Sequence, residues 1–370
     1  MKKPPMAALA VTLAMLAAGS ARADITIAVV GPMTGEYAIF GDQMKRGAEY
    51  FVERLNAKGG LNGQKIRLEV GDDACDPRQA VSVANQMASE NVAAVIGHYC
   101  SGSSIPASAV YHENRILQIT PASTNPALTD DAAKKGWTNV FRTCGRDDKQ
   151  GIVAGDFIAD HYKGEVIIVL DDKSAYGKGL ADETVKEMHA KGVTEAAREA
   201  YSAGSKDFTA LVSRLKQAKA DLVYIGGYHT EVGLMLRQAR DQGLAAQFMS
   251  GDANATDELG HIAGPAADGF LFTFGPDARK FPTARSVVED FRKTGFDPEG
   301  YTLYTVAAFQ VYAAGVTAAK STDLDKVTAV LHAQRFDTVL GPLSFDAKGD
   351  VLNPKYVIYR YQNGKYSELE

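Results

Sequence analysis

The chain has 370 residues, 45% of them hydrophobic, and a formal net charge of −5 from 40 basic and 45 acidic side chains. An acidic balance without basic runs argues against nucleic acid as a partner. The seven histidines are scattered without metal-ligand spacing, and no Gly-x-Ser-x-Gly, His-Glu-x-x-His or Walker loop is present, so neither a metal nor a cofactor is expected.

Residues 1–23 read as a secretory signal peptide. Lys2 and Lys3 precede an apolar run over 6–18, and Ala21-Arg22-Ala23 offers a small-x-small cleavage site. That run is too short to span a bilayer, and no later one approaches 18 residues, so no membrane insertion of the mature chain is expected. With no cysteine near the cut, a lipid anchor is not available either. Removing Lys2, Lys3 and Arg22 takes the charge from −5 to −8 and leaves a mature periplasmic chain starting at Asp24.

From Asp24 onward strands and helices alternate. Residues 25–30 form a buried strand pattern that Gly31-Pro32 ends. Met44, Ala48, Phe51 and Leu55 then fall on one helical face, stopped by Gly59-Gly60. Strands follow at 66–70, 93–96 and 116–119, then at 166–170, 222–225 and 248–250, with helices between; Phe208, Leu211, Val212 and Leu215 are one further stripe. Short strands separated by helices give parallel sheets covered on both faces. The break around residues 137–147 implies two doubly wound α/β lobes, as the length also suggests. After Pro276 the rhythm changes to helices at 284–293, 303–319 and 324–333, a strand and turn over 341–350, and a closing strand at 356–361.

Three cysteines in an oxidising compartment make one pair and one spare. Cys75 with Cys100 is the expected pair, which leaves Cys144 as a buried thiol. Cys100 opens a Gly/Ser turn leading into a helix, where N–H groups and the helix dipole favour a small carboxylate. Open α/β sheets bind ligands beyond the carboxyl ends of their strands. The loops there are 31–40, 99–104, 120–125, 171–177, 226–229 and 251–254. Together they supply hydroxyls, aromatic rings (Tyr37 or Phe40, Tyr99, Tyr176, Tyr228) and one acid, Asp252. Such a set suits an α-amino acid zwitterion.

The chain resembles the periplasmic leucine/isoleucine/valine-binding proteins of ABC amino-acid importers over its whole mature length. The motifs that carry the likeness are Asp72-Asp-Ala-Cys-Asp-Pro, Gly97-His-Tyr-Cys-Ser, Ile119-Thr-Pro-Ala-Ser-Thr124, Ala175-Tyr-Gly-Lys-Gly, Gly226-Gly-Tyr-His and Gly341-Pro-Leu-Ser-Phe-Asp with Lys348-Gly-Asp. The resemblance implies a type I binding protein, two lobes joined by three crossings that shut on a ligand without reaction. It implies a monomer that passes its ligand to permease subunits. On this footing Ser101 binds the ligand carboxylate, Thr124 contacts both charged groups, and Ala122 offers its carbonyl to the ammonium. Asp252 stands where the family commonly has a glutamate facing that ammonium. Tyr176 and Tyr228 close from the second lobe, and Phe40 lines the first. Tyr99 and Tyr301 narrow the space for a bulky side chain if both rings point inward; otherwise Tyr301 merely starts a helix. The lobes would be 24–143 plus 275–354 and 144–274 plus 355–370.

Three alternatives stand beside this reading. The same fold could hold another small amino acid, γ-aminobutyrate or an amide. It could serve a sensor instead of an importer. A periplasmic enzyme is the remaining one, its best case His98 with Cys100 as base and thiol, which a disulfide at Cys100 would remove.

Overall fold

The computed structural model describes residues 24–369, so the expected signal peptide at 1–23 lies outside the described residues. The chain opens with β1 (Ile25–Gly31), α1 (Ala38–Ala57), β2 (Ile66–Asp72), α2 (Pro77–Ser89), β3 (Ala94–Gly97), α3 (Ser101–Glu113), β4 (Leu117–Thr120), α4 (Ala127–Lys134) and β5 (Val140–Arg142). The five strands form a parallel sheet in the order β2-β1-β3-β4-β5. β3 and β4 are buried at every residue, and β1 at all but one, because helices cover both faces.

The second lobe repeats the scheme. It contains α5 (Asp147–Tyr162), β6 (Ile167–Asp171), α6 (Ala175–Ala190), β7 (Ala197–Ala200), α7 (Thr209–Gln217), β8 (Leu222–Gly226), α8 (His229–Asp241), β9 (Gln247–Ser250), α9 (Asp257–Ala263) and β10 (Leu271–Phe274). The chain then returns through α10 (Arg285–Lys293), α11 (Thr302–Ala319), α12 (Leu324–Ala333) and a hairpin of β11 (Phe336–Thr338) with β12 (Gly341–Leu343). α11 is apolar on almost every side, and it is buried against α1, α12 and the first sheet. Finally β13 (Val357–Gln362) and β14 (Lys365–Glu368) join the second sheet, whose order is β14-β13-β10-β9-β8-β6-β7. The chain therefore passes between the lobes three times, after β5, after β10 and before β13.

Five strands are absent from the predicted elements, among them the three-residue β11 of the hairpin, with one exposed aspartate between two buried residues. β5 falls where a break between lobes is predicted; it is three residues long and carries a buried arginine, so it has no apolar signature. β7 and β14 alternate polar and half-buried residues at or near the sheet edges. β10, with Leu271, Phe272, Thr273 and Phe274 all buried between two glycines, was legible and was missed.

Two close approaches set the cleft. A Cβ on Gly97 would lie 2.2 Å from the Val30 carbonyl oxygen, so glycine lets β3 end tight against β1. A Cβ on Gly226 would lie 1.9 Å from the Gly177 carbonyl oxygen, so the start of α6 rests directly on the end of β8. That contact brings the rings of Tyr176 and Tyr228 to 5.0 Å.

Candidate functional site

Every residue predicted for the site lies at a strand's carboxyl end or a helix's first turn. Phe40 is in the first turn of α1, Ser101 begins α3, and Tyr99 directly precedes Cys100. Ala122 and Thr124 follow β4, Tyr176 is the second residue of α6, and Tyr228 caps α8. Asp252 starts a 3-10 turn after β9, and Tyr301 caps α11. All nine are buried.

Hydroxyls in the two first-lobe loops divide their work. The Thr120 hydroxyl donates to the His98 carbonyl at 2.6 Å, and that of Ser123 donates to the Tyr99 carbonyl at 2.9 Å, stapling the loops together. The Ser101 hydroxyl accepts the Asn125 N–H at 3.2 Å. Thr124 Oγ1 and Tyr99 Oη are buried and, among the described residues, make no hydrogen bond of good geometry. Cys75 and Cys100 are disulfide-bonded with their Cα atoms 5.6 Å apart, which ties the Tyr99 loop to the end of β2. Beneath the loops, the buried Arg142 donates to the carbonyls of Ser123 at 2.7 Å and Asn125 at 3.2 Å. Its Nε is 2.7 Å from Asp350, to which Arg146 also pairs at 2.7 Å. Burial alone would raise the Asp350 pKa, but the two guanidinium groups hold it below the usual carboxylate value. The first and third crossings are thereby fastened to the Thr124 loop.

Aromatic rings wall the cleft. Phe40 and Tyr99 stack with centroids 4.4 Å apart, and Tyr301 meets Tyr99 edge-on at 5.2 Å. Tyr37, unranked against Phe40 in the sequence, stacks on Tyr228 at 4.4 Å. The open choice for Tyr301 resolves both ways: it caps α11, and its hydroxyl donates to Asp252 Oδ2 across the lobes. Asp252 Oδ1 accepts from the Tyr176 hydroxyl at 2.8 Å and from Gln150 Nε2 at 2.7 Å. Among the described residues no lysine, arginine or histidine forms an ion pair with Asp252. Burial raises its pKa, and the three donors oppose that shift.

Two residues here escaped the sequence analysis, Asp147 and Gln150 at the start of α5. Gln150 Nε2 also donates to Asp147 Oδ1 at 3.2 Å, so one amide bridges two buried carboxylates. Burial, then the neighbouring Asp252 charge, pushes the Asp147 pKa well above the usual range. The signal was Asp147-Asp-Lys-Gln150, an i, i+3 pair at a helix start, which also reads as an ordinary acidic first turn.

The lobes are shut on one another. Tyr37 donates to Glu231 at 2.9 Å, Thr230 to the Glu36 carbonyl at 2.9 Å, and Asn125 Nδ2 to the Ala175 carbonyl at 2.6 Å. The enzyme reading fails on geometry. Cys100 is oxidised, and the His98 ring is held between Asp73 at 2.5 Å and the Tyr111 hydroxyl at 2.8 Å. Cys144 is a buried free thiol whose pKa burial raises, the opposite of activation.

Two doubly wound lobes, joined by three crossings and shut over a polar, ring-walled cleft, make a type I solute-binding protein and not an enzyme. The chain belongs to the periplasmic binding protein family, whose profile matches residues 24–365. It is 47% identical over 374 residues, covering 100% of both chains, to Leu/Ile/Val-binding protein homolog 1 of Brucella suis. It is 42% identical to the leucine-, isoleucine-, valine-, threonine- and alanine-binding protein of Pseudomonas aeruginosa, over 95% of this chain and 94% of that one. The crystal structure of a leucine-binding protein from Thermotoga maritima matches with a TM-score of 0.85 at 27% identity, covering 94% of this chain and 98% of that one. Among the described residues no helix is long and apolar enough to cross a membrane.

Proposed function

We propose that the protein captures a small amino acid, branched-chain ones first, and delivers it to an ABC permease from the periplasm, where its signal peptide sends it. The observation that carries this reading is the polarity of the cleft. Among the described residues Asp252 is a buried carboxylate without a basic partner, while Ser101, Thr124 and Tyr99 place hydroxyls on the other lobe. A zwitterion satisfies both, its ammonium on Asp252 and the Ala122 carbonyl, its carboxylate on Ser101 and Thr124. Tyr176 and Tyr228 cover it from the second lobe, and Phe40, Tyr99 and Tyr301 bound its side chain. The chain acts as a monomer divided into 24–143 plus 275–354 and 144–274 plus 355–370; the three passages between sheets support that division. The names of the Brucella and Pseudomonas relatives support the ligand class.

A second ligand reading has its own support. The Phe40–Tyr99 stack and the edge-on Tyr301 take up side-chain space, which favours alanine, threonine or γ-aminobutyrate over leucine. A thermal-shift screen of refolded protein against the twenty amino acids and γ-aminobutyrate tests both. A ligand at 100 times its Kd adds about 2.7 kcal/mol of stability, a clear rise in Tm. No shift with any compound would refute the function.

A further inference from the structure

Asp147, at the start of α5, has no counterpart in the ligand set above, yet one amide pairs it with Asp252, which belongs to that set. Asp147, Gln150, Asp252 and Tyr176 all belong to elements packed with the second sheet, so the pair stays together when the lobes part. Its geometry is rigid. Gln150 Oε1 accepts from the Thr273 hydroxyl at 2.9 Å and from the Asp252 N–H at 3.1 Å, which fixes the amide so that its nitrogen must face both acids. Asp252 receives three donors. Asp147 receives the longer Gln150 bond, and among the described residues its buried Oδ2 has no hydrogen bond of good geometry. The Thr124 hydroxyl lies beside Asp147 and lowers the cost of its charge.

The groups facing Asp147 are Asp252, Cys144, the phenols of Tyr176, Tyr224, Tyr228 and Tyr356, and, as a cation, Arg142. Arg142 is already committed to Asp350 at 2.7 Å. Two like charges sharing one amide in a dry site cannot both ionise without a cation, so they titrate as a pair that retains a proton. A ligand ammonium is such a cation.

We infer that Asp147 is a second acceptor for the ligand's ammonium, and that ligand binding drives a proton off the Asp147–Asp252 pair. The carboxylic O–H bond breaks, its proton passes to solvent buffer, and the ammonium's N–H groups then face two carboxylates. This rests on the cleft holding an amine-bearing ligand. Affinity should consequently rise with pH wherever the free pair is protonated and the occupied pair is not.

The test is calorimetric titration of the whole refolded protein with L-valine and with L-alanine, in phosphate and in Tris, buffers of different ionisation enthalpy. The expected result is a buffer-dependent enthalpy showing proton release, up to one per ligand. Kd should tighten as pH rises from 6 to 8. Asp147→Asn should abolish the buffer dependence while weakening binding, and Asp147→Glu should restore it. The pH series on unaltered protein stands even where a variant fails to fold. Buffer-independent binding by the unaltered protein, or proton release that persists in Asp147→Asn, overturns the inference and leaves the cleft reading intact. Failure of both amino acids to bind overturns the two together.

Discussion

Tyr301 and Asp252 come from different lobes and meet in a single hydrogen bond inside the cleft. The acid that the resemblance assigns to the ligand's ammonium is thus also a latch between lobes. Only contacts that differ between open and closed forms can shift their balance, and this is one of them. Tyr301→Phe should therefore open the ligand-free protein. Small-angle scattering should show a larger radius of gyration for the variant, and an unchanged radius would mean the bond does not govern closure.

Asp252→Ala removes the acceptor and should weaken amino-acid binding by over tenfold, about 1.4 kcal/mol. Equilibrium dialysis with the tightest ligand checks it. An unchanged Kd would remove Asp252 from the site.

Tyr99 makes a specificity prediction. Its ring lies between Phe40 and Tyr301, so Tyr99→Leu opens room for a larger aliphatic side chain. The leucine-to-alanine preference should shift toward leucine by about 1–3 kcal/mol, the usual worth of one or two methylenes. A constant preference would show that the ring does not bound the ligand.

The disulfide should matter for stability. It joins residues 25 apart in the chain. Reducing it, or Cys75→Ser with Cys100→Ser, should cost about 3 kcal/mol by loop-closure entropy. Denaturant midpoints with and without reductant measure this, and coincident curves would count against it.

Asp172 predicts a pH dependence. Burial chiefly raises its pKa from 3.8 to about 6, with Ser174 opposing and Glu231 adding to the shift. A carboxyl whose folded pKa is raised binds its proton more tightly in the native state, so stability falls as pH climbs from about 4 to 6. The loss is on the order of 3 kcal/mol and complete above that window. Asp172→Asn should flatten unfolding curves across it; an unaltered slope would assign the effect elsewhere.

Much of this was legible in the sequence because it rests on local signals. The runs at β1, β3, β6 and β8 are apolar since both sheet faces are covered, and Gly31, Gly97 and Gly226 mark where strands give way to loops. Eight of the nine residues proposed for the site stand in strand-to-helix loops legible in the sequence, while Tyr301 was named through the family resemblance alone. What escaped depends on contacts distant in sequence. Asp147 and Gln150 resemble a solvated helix start until the fold brings Asp252, 102 residues from Gln150, against them. Arg142 gives no strand signal because its charge is satisfied by Asp350 and loop carbonyls. The second role of Tyr301 required knowing that the lobes meet there.

The most direct test of the central claim is calorimetric titration of refolded protein, freed of retained ligand, with leucine, valine, alanine, threonine and γ-aminobutyrate. Micromolar or tighter one-to-one binding of at least one of them, lost in Asp252→Ala, is the predicted result. Heat-silent titrations with all five, or binding that ignores Asp252, would contradict the account.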